Sequence, residues 1–211
     1  MNLYLKQLEL GPMQNFVYLI GSADSKAVAV IDPAWDPPAI LAAAKQDGMK
    51  ITHAIVTHTH FDHINGIEEL VEKTDAKVIV HKKEVKQLPL EKGSVQAIEG
   101  GATLRLGNVE LTLLHTPGHS PGSICVTAQD RLLAGDTLFV SGCGRCDFEG
   151  GDPEVMYKSL TRLSQLDDQV LLYPGHNYAP QPTSSIGEEK LSNRFLKAKG
   201  LEAFLSVRNA T

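Results

Sequence analysis

Ile51-Thr52-His53-Ala54-Ile55-Val56-Thr57-His58-Thr59-His60-Phe61-Asp62-His63 is an apolar run that passes without a spacer into three histidines and an aspartate. Ile51 to Thr57 reads as a buried strand, short and rich in β-branched residues. The His/Asp run then falls on the loop at the strand's C-terminal end, a position where reactive groups are commonly built. His58 and His60 are two apart, so in extended chain both point to one side, whereas the adjacent Asp62 and His63 diverge. One loop can therefore offer two ligands to one metal and two to its neighbour. Imidazole and carboxylate together suit zinc, iron or manganese.

Working outward, strands are expected at Leu3 to Leu10, Phe16 to Ile20 and Ala27 to Ile31, the last broken by Asp32-Pro33. Asp36-Pro37-Pro38 opens a helix to about Asp47, with proline in the first turn where no hydrogen bond is lost, and Gly48 ends it. After the metal run come a helix from Ile67 to Lys73, a strand from Lys77 to Val80, short strands between Thr103 and Thr127, and a strand from Arg131 to Ala134. A helix from Pro153 to Leu166, capped by Asp152, precedes a strand from Val170 to Tyr173. The tail from Ser185 to Val207 reads as helical with a break at Gly200. This order predicts an α/β protein with helices outside mixed sheets, and 211 residues suit one domain spanning 1–211.

Composition narrows the function. A net charge of -5 argues against a nucleic-acid partner, which needs a basic footprint. No apolar stretch is long enough to span a bilayer, and the first residues lack a secretion signal. Three scattered cysteines, Cys125, Cys143 and Cys146, do not make a disulfide framework, so a reducing cytoplasm is expected. Cys143 and Cys146 form a C-x-x-C, but without a thioredoxin-like context a redox role is not expected.

A single loop cannot complete two metal sites. Three further segments place a candidate ligand beside a glycine at a strand end: Thr116-Pro117-Gly118-His119, Ala134-Gly135-Asp136-Thr137 and Tyr173-Pro174-Gly175-His176. An isolated histidine is more often a satisfied core or surface residue than a ligand, and a lone Asp136 more often a cap. The compact run at His58 to His63 changes those odds. His53, His81 and His115 match no ligand position, although His115 is close enough to His119 in sequence to act behind it.

His58-Thr59-His60-Phe61-Asp62-His63 resembles the H-x-H-x-D-H signature of the metallo-β-lactamase superfamily. The other three segments follow in that family's order and spacing, so the resemblance covers nearly the whole chain. It implies a four-layer αβ/βα sandwich with metals at the edge between two sheets. It also implies that His58, His60 and His119 hold one of two divalent ions, that Asp62, His63 and His176 hold the other, and that Asp136 bridges them. Within the superfamily, Gly135 to Arg145, Met156 to Leu160 and Ile186 to Lys190 are similar to hydroxyacylglutathione hydrolase (glyoxalase II). The loop Arg145 to Gly150 is one residue longer than that family's version, Asn193-Arg194-Phe195 stands in place of Asn-Pro-Phe, and the helical C-terminal region is shorter.

That likeness implies hydrolysis of a small-molecule thioester, of the hydroxyacylglutathione (S-lactoylglutathione) kind, by water activated between two metal ions, zinc first and iron or manganese as alternatives. Asp62 would help orient that water, and Arg145 and Tyr178 would contact substrate. A monomer or homodimer is expected. The alternative is the iron-dependent persulfide dioxygenase branch, whose single iron would use His58, His119 and Asp136 and whose substrate is glutathione persulfide. Its segment after the aspartate is similar to Gly142 to Phe148.

Overall fold

The computed structural model describes residues 2–91 and 94–210. Two six-stranded sheets face each other. The first has the order β1-β2-β3-β4-β5-β6: β1 Leu3–Leu10, β2 Asn15–Ser22, β3 Ala27–Ile31, β4 Lys50–Val56, β5 Lys77–His81 and β6 Val95–Ile98. β1 to β3 are antiparallel, and β3 to β6 run parallel. The parallel half is joined by helices α1 (Pro37–Gln46), α2 (Phe61–Ile64) and α3 (Ile67–Thr74).

The second sheet has the order β14-β13-β10-β9-β8-β7: β7 Ala102–Leu106, β8 Val109–His115, β9 Ile124–Ala128, β10 Arg131–Gly135, β13 Leu171–Pro174 and β14 Ser184–Ser185. A two-stranded ribbon, β11 Leu138–Phe139 with β12 Gly142–Cys143, follows β10. Helices α4 (Pro153–Leu163), α5 (Ile186–Ser192) and α6 (Leu201–Asn209) cover this sheet's outer face.

The alternation of side chains across a strand explains the layering. Along β2, Val17 and Leu19 join Ile40, Ala44, Ile67 and Leu70 beneath α1 and α3. Phe16, Tyr18 and Ile20 point the other way, into the core between the sheets with Leu111, Leu113 and Val126. Because both faces are covered, β2 and β4 read as near-continuous apolar runs. The outer face of the second sheet meets Met156, Leu160 and Leu163, spaced as one stripe of α4. Each such fully buried side chain contributes about 1.5–3 kcal/mol. The four-layer α/β/β/α expectation is met.

Local expectations hold with small shifts. Asp36 and Asp152 cap their helices, Asp36 Oδ1 accepting from Ala39 N and Asp152 Oδ1 from Glu154 N and Val155 N. Asp62 and His63 lie on the one-turn helix α2 rather than on loop. α4 stops at Leu163, and the tail's helix breaks earlier than expected, across 193–200. Strands β6, β11, β12 and β14 carry no clear sequence signal.

Candidate metal centre

The expected ligands arrive from both sheets. His58 and His60 follow β4, Asp62 and His63 sit on α2, His119 lies between β8 and β9, Asp136 follows β10, and His176 follows β13. Ligand atoms of His58, His60 and His119 lie within 4.8 Å of one another, as do those of Asp62, His63 and His176. Asp136 joins the two sets. Its Oδ2 is 3.5 Å from His119 Nε2 and 3.4 Å from His176 Nε2, and its Oδ1 is 3.4 Å from His63 Nε2. A side chain at Gly144 would strike the Asp136 carbonyl, and one at Gly175 would strike the Asp136 carboxylate, so only glycine fits on either side of it.

The hydrogen-bond network assigns the tautomers. His119 Nδ1 donates to the Arg145 carbonyl at 2.6 Å, and His176 Nδ1 to the Met13 carbonyl at 2.9 Å. His63 Nδ1 donates to Asp32 Oδ2 at 2.9 Å. Thr57 Oγ1 gives its proton to Asp32 Oδ2, so it accepts from His58 Nδ1 at 3.0 Å. In each ring the proton is drawn outward and the Nε2 lone pair faces inward, the arrangement that prepares histidine for a metal. With neutral rings, His58 Nε2 lies 3.2 Å from His119 Nε2, and His63 Nε2 3.2 Å from His176 Nε2, lone pair facing lone pair. Asp136 Oδ1 is buried without a hydrogen-bond partner. A buried space walled by acceptors alone costs several kcal/mol unless a cation fills it. The donor set therefore fits a pair of metal ions.

Electrostatics agree. Burial holds His58, His60 and His119 below the ordinary imidazole pKa, leaving neutral rings suited to ligation. Burial opposes charge on His63 too, but Asp136 and Asp32 outweigh it and hold its pKa well above that value, so without metal this ring draws a proton to the place a metal ion would take. Burial likewise disfavours ionised Asp136, yet His63, His176 and His58 keep its pKa well below the usual carboxylate range.

Three supporting residues escaped the sequence reading. Asp32, where the sequence predicts only the end of a strand, accepts from Thr57 N at 2.6 Å, Thr57 Oγ1 and His63 Nδ1. Asn15 donates to Asp62 Oδ2 at 2.8 Å and accepts from Trp35 Nε1 at 2.7 Å. Glu84 is buried between the two ligand loops. It accepts from Thr59 N and Thr59 Oγ1 on one side, and from Ser120 Oγ and Gly122 N on the other. His115 stacks on His81 at 4.0 Å and bonds the Pro121 carbonyl, so it does not stand directly behind His119. Of the expected substrate contacts, Tyr178 stacks on His176 at 4.5 Å, while Arg145 is held by Asp147 through two bonds of 2.9 and 2.5 Å. Cys125, Cys143 and Cys146 are free thiols, and burial pushes each pKa above the usual thiol value.

Residues 10–176 match the pattern of the Metallo-beta-lactamase superfamily. The chain belongs to the metallo-beta-lactamase superfamily. Within it, the chain is 37% identical over 191 residues to a hydroxyacylglutathione hydrolase of Rhodospirillum rubrum, covering 89% of this chain and 72% of that one. It is 29% identical over 195 residues to the probable polyketide biosynthesis zinc-dependent hydrolase PksB of Bacillus subtilis, covering 92% and 87%. Among solved structures, ETHE1 from Myxococcus xanthus superposes with a TM-score of 0.89 at 33% identity, covering 98% of this chain and 90% of that one. Superfamily membership with such relatives makes this chain a metallo-hydrolase. Among the described residues no helix is long and apolar enough to cross a membrane.

Proposed function

We propose that this chain hydrolyses a thioester of a small thiol, of the hydroxyacylglutathione class, with S-lactoylglutathione the first substrate to try. The carrying observation is the ring of inward lone pairs around the partnerless oxygen of Asp136. His58, His60 and His119 are assigned to one divalent ion, Asp62, His63 and His176 to the second, and Asp136 to both. Zinc is the first assignment, as in the name of the Bacillus subtilis relative, and iron or manganese suit the same donors. Bound metals would supply a water of lowered pKa and polarise the thioester carbonyl.

The remaining work falls to the protein. Asp32 fixes the His63 ring, and Asn15 fixes the Asp62 carboxylate, which is assigned the further task of orienting the attacking water. Tyr178 offers a flat face beside His176. Arg145 is assigned to the substrate's polar end, which requires it to loosen its bond to Asp147. The reading has the chain act as one domain over 1–211, in the cytoplasm, as a monomer or homodimer.

The test is metal analysis of protein purified without added metal, combined with thiol release from S-lactoylglutathione. The expected outcome is two metal ions per chain and thiol release lost in Asp136→Asn. A single iron per chain, with oxygen uptake on glutathione persulfide and no thioester cleavage, would overturn the hydrolase in favour of the dioxygenase.

A further inference from the structure

Among the described residues, five large apolar side chains are strongly exposed: Met13 at 45%, Phe61 at 71%, Phe148 at 41%, Tyr178 at 56% and Leu191 at 79%. Three of these five, Phe61, Phe148 and Tyr178, belong to the rim of the metal centre. Phe61 lies between His60 and Asp62 in the chain, with the Trp35 ring set edge-on at 6.1 Å. Phe148 stands 5.0 Å from the His60 ring and 5.9 Å from the His119 ring. Tyr178 stacks on His176, with Phe139 edge-on to it at 5.6 Å. Met13 holds His176 through its carbonyl. Exposed apolar groups scattered singly need no explanation, but a cluster at the mouth of a site marks what the site receives.

The charge at this mouth points the same way. Arg145 lies with its guanidinium 4.4 Å from the Phe148 ring centre and is paired bidentately with Asp147. While this pair holds, its charge is offset and its flat head extends the aromatic surface; the same group turns to the substrate's polar end only when the pair loosens. A short hydroxyacyl group would leave these aromatic faces wet, whereas a longer apolar chain would cover them.

Resting on the thioester reading above, we infer that this rim selects the acyl chain, and that among the glutathione thioesters the site cleaves, one with a medium-length apolar acyl group is preferred over the short lactoyl one. The chain lies across Phe148 and Phe61 while the thioester carbonyl reaches the His/Asp cluster. A methylene fully removed from water is worth about fourfold in affinity, and an open rim that covers half of it gives about twofold.

The test uses one thiol and varies the acyl chain. With metal-loaded protein and glutathione thioesters from acetyl to hexanoyl, kcat/KM is expected to rise about twofold per methylene, so that hexanoyl exceeds lactoyl by roughly tenfold. Binding is read separately from turnover by calorimetric titration with uncleavable S-alkyl glutathiones. S-hexylglutathione is expected to bind more than tenfold tighter than S-methylglutathione. Phe148→Ala should flatten both series, and Phe148→Leu, which keeps an apolar surface, should restore most of the slope. A flat or falling series, or best activity on the lactoyl thioester, overturns this inference and leaves thioester hydrolysis standing. Failure to cleave any thioester overturns the hydrolytic reading, and equal binding of the two S-alkyl compounds overturns the rim on its own.

Discussion

Glu84→Ala removes a carboxylate that ties the loop of His58 and His60 to the loop of His119. Four donors lose their acceptor: Thr59 N, Thr59 Oγ1, Ser120 Oγ and Gly122 N. Ser120 Oγ retains Ser123 Oγ at 2.8 Å, and half-buried Thr59 can turn to water, so these losses are small. Gly122 N is buried and has nowhere to turn, at about 1–3 kcal/mol. Adding the lost charge-assisted bonds and the void left by the side chain brings the total to about 3–4 kcal/mol. At this chain length each kcal/mol moves Tm by about 2–4 °C, so metal-free Glu84→Ala should melt about 10 °C below the parent. Glu84→Gln keeps one acceptor and turns an NH2 toward the other pair of donors, so about half the loss is expected. In competition with a chromophoric chelator, the metal set of His58, His60 and His119 should weaken about 10–100-fold, with the other set less affected. If Glu84→Ala melts within about 2 °C of the parent and binds both metals unchanged, the two loops are positioned by something other than Glu84.

Asp32→Ala should release the His63 ring and weaken the set of Asp62, His63 and His176 by about 10–100-fold, read by the same competition. Gly175→Ala drives a methyl into the Asp136 carboxylate, and loss of bound metal together with a lower Tm is expected by metal analysis and calorimetry. Chelation of the loaded protein should lower Tm as well as abolish thiol release, because metal at a hundredfold excess over its Kd adds about 2.7 kcal/mol per site. His81 is held near a pKa of about 4 by burial and by His115. Between the ordinary imidazole value and about 4, the unfolded chain binds a proton that the native state refuses. Stability should therefore fall as pH drops through that window, and His81→Phe should flatten that limb of the denaturation profile.

The apolar run into His58-Thr59-His60-Phe61-Asp62-His63 was legible because burial on both faces leaves a continuous apolar strand, and metal chemistry demands dense ligands where it ends. The layering followed from the same alternation in β2 and β4. Asp32 was readable in principle, since it follows the strand parallel to β4 and so comes beside Thr57 if the two are neighbours. Its proline neighbour drew the simpler reading of a breaker. Glu84 leaves no such trace, because Thr59 reaches it only through the β4–β5 pairing and Gly122 only when the two sheets dock. The short strands β11, β12 and β14 have two residues each, too few for a period to register.

The outward bonds from His58, His63, His119 and His176 are made to the protein itself, to Thr57, Asp32, Arg145 and Met13. Ring orientation is thus set by the polypeptide and not by the ion. A cage shaped before its occupant arrives discriminates weakly among ions of similar size and charge that accept nitrogen and carboxylate donors. The metal found in this protein will then record the supply at the time of folding, and growth in zinc-rich or iron-rich medium should yield differently loaded preparations of one unchanged backbone.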